Sequence, residues 1–162
     1  TVDDDVIYPI DTIDLLYRAY QKEPNVIHCN RGHQMTYDAN GELRPYWEWK
    51  TNYSAAEANL DFFPTGHGGV LYFPGAFASD VMDKDAFLRL APRADDVWLK
   101  AMSLKKGTKC RQTIHTQDFR RRSTPILGAN VTSLQKLNKH TRDGNDAAIR
   151  RTFNASGLED WL

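Results

Sequence analysis

"ADDVWLKAMSLKKGTKCRQTI", residues 94–114, is the stretch whose reading decides the fold. Behind two aspartates, Val97, Trp98, Ala101 and Met102 fall at the spacings of one helical face, which predicts a helix from about Asp95 to Lys106. Gly107 stops it, and "TKCRQTI" resumes extended structure. The same hand-over between helix and strand recurs on either side. Upstream, Lys84 to Leu90 reads as a second helix, and "GHGGVLYFPGAF" (66–77) as a glycine loop entering an apolar strand, Val70 to Phe73, that Pro74-Gly75 ends. Nearer the start, "NVIHC" (25–29) reads as a short buried strand. Before it, Ile13, Leu16, Tyr17 and Tyr20 mark a helix after Pro9 that stops at Pro24. Asn40-Gly41 signals a hairpin turn between extended arms, followed by an aromatic patch of Tyr46, Trp47 and Trp49. "SAAEANL" (54–60) reads as a weak helix or loop, and "GNDAAIRRTF" (144–153) as a helix. Strands alternating with helices give an α/β class.

The 162 residues suffice for one domain with a genuine core, so residues 1–162 are read as a single domain. Twenty-one Lys and Arg against 21 Asp and Glu leave no global charge for nucleic acid or an anionic membrane, and no nucleic-acid partner is expected. Cys29 and Cys110 lack a CxxC pair or zinc-type spacing, which favours a reduced, cytoplasmic setting while leaving a disulfide between them open. No apolar run approaches the ~20 residues that span a bilayer.

Chemistry concentrates in a few clusters. In "TVDDDVIYP" (1–9), Asp3, Asp4 and Asp5 form a candidate cofactor-binding group. On extended backbone, residues two apart point the same way, so Asp3 and Asp5 converge on one hard cation such as Mn²⁺ or Mg²⁺ while Asp4 faces elsewhere. A solvated acidic loop leading into the next helix is the plainer alternative. Asp95 and Asp96 open their helix together. Capping needs only one of them, which leaves the other for general-base work. Gly66, Gly68 and Gly69 allow a loop lining a sugar or phosphate, or simply a tight turn. His33, His67, His115 and His140 are each a candidate third metal ligand, although a lone histidine is more often structural. Arg120 to Arg122 could neutralise a diphosphate, or form a solvated loop.

In order, "TVDDDVIYP", "GHGGVLYFPGAF" and "ADDVWLKAMSLKKGTK" resemble the second half of a GT-A fold glycosyltransferase, Rossmann-like with a mixed sheet. The resemblance is nearest to family-2-like bacterial enzymes of capsule and surface-polysaccharide synthesis. It implies that Asp3 and Asp5 match the DxD motif, which holds Mn²⁺ or Mg²⁺ against the diphosphate of a UDP-sugar. It further implies Asp96, or failing that Asp95, as the base of an inverting transfer to a glycan or lipid-linked acceptor. Gly68, Gly69 and Trp98 would line the acceptor side. His115, with His140 second, would complete the metal shell. The nucleotide-binding half that precedes DxD in that fold has no counterpart here. The expectation is therefore a fragment with weak or no turnover by itself, and peripheral membrane association belongs to the full-length protein.

Two rivals stand beside this reading. A haloacid-dehalogenase-type phosphohydrolase also uses an early DxD, but it needs a hydrophobic strand before the first aspartate. A glycan-binding domain would stack sugar rings on Tyr46, Trp47 and Trp49.

Overall fold

The computed structural model describes residues 1–51, 57–114, 118, 124–126 and 144–162. It is a mixed α/β structure with a small mixed sheet at its centre. In that sheet β2 (Ile27–Cys29) lies between β5 (Val70–Leu71), antiparallel to it, and β6 (Cys110–Gln112), parallel to it. Two further pairs flank the sheet: β1 (Val6–Ile7) with β7 (Thr124–Pro125), and β3 (Gly32–Gln34) with β4 (Phe62–Pro64), both antiparallel. Each of these strands is short, because turns and 3₁₀ segments interrupt the apolar runs.

Among the described residues, four helices cover these strands: α1 (Thr12–Lys22), α2 (Lys84–Leu90), α3 (Asp95–Lys106) and α4 (Asn145–Ala155). Helix α3 begins and ends where its sequence predicts. Gly107 terminates it with φ +76°, a left-handed conformation that costs glycine nothing, and passes its amide to the Leu104 carbonyl. Its inward residues, Val97, Trp98, Ala101, Met102 and Leu104, join Met35, Trp49, Phe63, Ile149 and Phe153 in the main core. Each fully buried phenylalanine there is worth ~1.5–3 kcal/mol. A smaller core of Ile27, Cys29, Phe62, Val70, Ala76 and Cys110 fills the space beneath the mixed sheet.

Several expectations are trimmed. The strand predicted over Val70 to Phe73 keeps only Val70–Leu71, and Tyr72 and Phe73 pack partly buried against the smaller core. The Asn40-Gly41 turn is present, with Gly41 at φ +86°, but its arms meet only in the Tyr37–Leu43 bridge. The aromatic patch divides. Trp49 is buried and gives its indole N–H to the Arg44 carbonyl, Tyr46 packs on Trp49 and Phe63, and Trp47 stays 74% exposed. Cys29 and Cys110 are both buried and free. Ser54 to Ala56 of "SAAEANL", and Arg120 to Arg122, lie outside the described residues, and Glu57 to Leu60 are not helical, with Asn59 bridged to Cys110. Among the described residues, no helix is long and apolar enough to cross a membrane.

Candidate functional site

The opening aspartates lie against the glycine loop, and the backbone explains why. Thr1 exchanges two hydrogen bonds with Val70 at the start of β5, its amine donating to the Val70 carbonyl and its own carbonyl accepting the Val70 amide. One turn further on, the Asp3 amide donates to the Tyr8 hydroxyl, which in turn donates to the His67 carbonyl, both at 3.0 Å. Tyr8 thus fastens the aspartate segment to the 3₁₀ turn Gly66–Gly68.

Of the loop glycines, Gly68 is required by close approach and Gly69 by its backbone conformation. A Cβ on Gly68 would sit 2.5 Å from the Arg31 Cβ and 2.6 Å from its backbone nitrogen. Gly69 holds φ +81° beside Val2 and the Thr1 carbonyl. Their structural duty is to seat the turn on Arg31 and on the first residues of the chain.

These constraints bring Asp3, Asp5 and His67 together, with one candidate ligand atom from each lying within 4.8 Å of the others. The His67 Nδ1 stands 3.8 Å from an Asp3 carboxylate oxygen. Partial burial, opposed by His67 and reinforced by Asp5, Asp95 and Asp4, raises the Asp3 pKa. Burial, together with Arg31, lowers that of His67, so its imidazole is neutral at physiological pH and has a lone pair to give. Two carboxylate oxygens and one imidazole nitrogen suit Mn²⁺ well and Mg²⁺ adequately, with positions left for water or phosphate. The mutual repulsion recorded at Asp3 is the kind that a divalent cation relieves.

Asp96 belongs to the same electrostatic neighbourhood. It is partly buried on the first turn of α3, accepts the Val97 amide at 2.9 Å, and is pushed up to about 7. Burial is the main cause, followed by Asp95 and then Asp3, while Arg31 opposes them. Asp95 is exposed. Ala94, which has no side-chain acceptor, occupies the N-cap, so capping does not account for both acids.

Arg31 emerges as a member of the site that sequence reading did not single out. Its guanidinium donates to the Thr65 hydroxyl at 2.8 Å, and its charge is felt at both His67 and Asp96. Tyr8 is the other, since nothing in its local pattern marks a residue that bridges two loops.

The remaining candidates fall elsewhere. Asp4 is exposed. Trp98, expected on the acceptor side, is 5% exposed, packs against Phe87 and gives its indole N–H to the Val81 carbonyl. His33 is buried against the Tyr46 ring. His115 and His140 lie outside the described residues, so among those described it is His67 that joins the two aspartates. Compared with models of known protein families, with characterised proteins and with solved structures, the chain matches none.

Proposed function

We propose that the chain carries the metal, acceptor and base elements of a glycosyltransferase that moves a sugar from a UDP-sugar to a glycan or lipid-linked acceptor, as in bacterial surface-polysaccharide synthesis in the cytoplasm. The observation that carries this reading is that Asp3, Asp5 and His67 converge within 4.8 Å while Asp96, on a different element, shares their field and titrates near neutrality. The GT-A fold and an inverting outcome enter with the sequence resemblance and are part of the proposal.

In this reading Asp3, Asp5 and His67 hold Mn²⁺ or Mg²⁺. When bound, such an ion stabilises the negative charge that develops on a departing diphosphate. Arg31 adds a fixed positive charge on the same side. Asp96 takes the proton of the incoming acceptor hydroxyl, and a carboxyl with a pKa of about 7 is a stronger base than an ordinary aspartate while still half ionised at neutral pH. Tyr8 keeps the two ligand-bearing segments in register. Among the aromatic residues that a pure glycan-binding domain would present, only Trp47 of the patch remains outside, which leaves that alternative with less support.

Calorimetric titration with UDP, with and without Mn²⁺, tests the proposal on the parent and on the Asp3→Asn/Asp5→Asn double variant. The expected result is UDP binding that requires Mn²⁺ and disappears in the variant. Binding that ignores the metal, or survives both substitutions, contradicts it.

A further inference from the structure

A cleft of about 150 Å³ opens beside Trp47, the member of the aromatic patch that the core does not take up. Trp47 lines it together with Leu43, Arg44, Asp146, Ile149 and Arg150. Leu43 and Ile149 are buried and give the cleft an apolar floor. Trp47, Arg44 and Arg150 are exposed, and Asp146 is half-buried, so the walls and rim are open to water.

The groups around this space are braced by the fold. Asp146, on the first turn of α4, accepts the Tyr46 amide through Oδ1 at 2.7 Å, and its Oδ2 has no donor among the described residues. Arg44 donates from Nε to the Tyr37 carbonyl at 3.1 Å and from one terminal nitrogen to Glu48 at 2.9 Å. Trp47 sits in the middle of the 3₁₀ turn Tyr46–Glu48. On one side of it the Tyr46 ring packs on Trp49 and Phe63, and on the other the Trp49 indole is bonded to the Arg44 carbonyl. A wall already set in this way costs a ligand little ordering on binding.

A single exposed apolar side chain is ordinary on a protein surface, and Trp47 alone would carry nothing. The cleft adds an aromatic wall, a space of ring size and both hydrogen-bond polarities at one rim, since a carboxylate only accepts and a guanidinium only donates. A pyranose has the complementary surface. The C–H groups of its face lie on an indole, and the hydroxyls of its edge donate to a carboxylate and accept from a guanidinium. A phosphate is disfavoured by the Asp146 carboxylate, and a flat aromatic ligand would leave the rim groups unmatched. The volume is below that of a drug-sized pocket, which limits the occupant to one ring.

We infer that the cleft beside Trp47 is a subsite for one sugar ring, stacked on the indole and hydrogen-bonded at its edge by Asp146 and the flanking arginines. It takes the sugar without a metal. Tyr46 joins this subsite to the candidate base. Its amide rests on Asp146, and burial chiefly, with Asp96 and more weakly Asp146 adding to it and Arg31 opposing, raises the pKa of its hydroxyl, so both carboxylates act on the same group. On the transfer reading the ring belongs to the acceptor, at a unit removed from the reacting hydroxyl, which makes the acceptor an oligosaccharide; this consequence, unlike the subsite itself, rests on that reading.

The test is a nitrogen-15 NMR titration of the full chain in the presence of EDTA, with the Trp47 indole resonance identified by its loss in Trp47→Phe. The probes are the methyl glycosides of β-glucopyranose, β-galactopyranose and α-mannopyranose, which present different ring faces, and sorbitol serves as an open-chain control. At least one glycoside should shift the Trp47 indole saturably while sorbitol does not. Followed on the backbone amides of Arg44 and Arg150, its affinity should fall roughly tenfold or more in Trp47→Ala and less in Trp47→Phe. Asp146→Asn, which retains an acceptor for the Tyr46 amide, should also weaken it. No saturable shift with any of the glycosides, an equal response to sorbitol, or Trp47→Ala that binds as the parent does, overturns the subsite. If the alanine variant melts early, Trp47→Phe and Asp146→Asn still give the comparison, and parental affinity in both overturns it. EDTA keeps this result independent of the Asp3–Asp5–His67 reading, whose own failure would appear in the Mn²⁺ and UDP titrations and leave this one unchanged.

Discussion

Asp96 is a carboxyl whose charge is opposed by its surroundings, and that has a thermodynamic signature separate from any activity. Its pKa stands at about 7 in the fold against 3.8 for the unfolded chain, so between about pH 4 and about pH 7 the native state binds more protons than the unfolded state. Its contribution to stability therefore falls as pH rises through that window and stays low above it. Asp96→Asn removes the penalty. The variant is expected to be more stable than the parent by about 1–3 kcal/mol near pH 8, the ceiling of the shift being reduced by the carboxyl's partial exposure, with the difference vanishing toward pH 4. Thermal melts at a series of pH values check this, and a variant that melts at or below the parent at about pH 8 contradicts the placement. Turnover, if the same group is the base, should rise as pH passes through about 7 and be lost in Asp96→Asn.

At the scale of elements, α3 links the candidate base to the candidate metal side. Lys100, on the inward face of that helix and 2% exposed, donates to the Leu60 and Phe62 carbonyls, and the chain runs from there through β4 into the turn that carries His67. Burial lowers the pKa of this ammonium, and the two carbonyls are what it receives in return. Lys100→Met keeps the stem but removes the donor for both. A loss of about 1–3 kcal/mol is expected in chemical denaturation, and an unchanged midpoint would mean that the contacts carry no net weight. The sequence made α3 easy to read, because its apolar spacing, its acidic start and Gly107 all agree. It gave no sign of Lys100, since a lysine one position before Ala101 looks like an ordinary solvated residue until the fold closes around it. The strands were harder to bound. Two or three paired residues leave no alternation to recognise, and their limits are set by neighbours such as Lys109, whose carbonyl accepts the Ile27 amide.

Across the whole molecule, the site is assembled from parts far apart in sequence. Thr1 reaches Val70, Tyr8 reaches His67, and Asp3 and Asp96 feel each other's charge. The aspartates and the candidate base were legible as residue types in a pattern. The choice of His67 among the four candidate histidines was not, because it depends on the β5 pairing of the first residue and on a glycine pressed against Arg31. Phe77 packs against both cores, so the metal side and the α3 side are parts of one packed body and not of separate ones. A ligand that bridges Asp3, Asp5 and His67 should therefore stabilise the fold as a whole, by about 2.7 kcal/mol at a hundredfold excess over its dissociation constant.

The central claim is that these three side chains form one cation site, and electron paramagnetic resonance of Mn²⁺ titrated into the parent, Asp3→Asn/Asp5→Asn and His67→Ala tests it most directly. The account predicts that the parent removes the free-ion signal at a stoichiometry of one, that the double aspartate variant leaves it untouched, and that His67→Ala binds more weakly with altered nitrogen coupling. A parent that leaves the free Mn²⁺ signal unchanged, or variants that bind as the parent does, would contradict it.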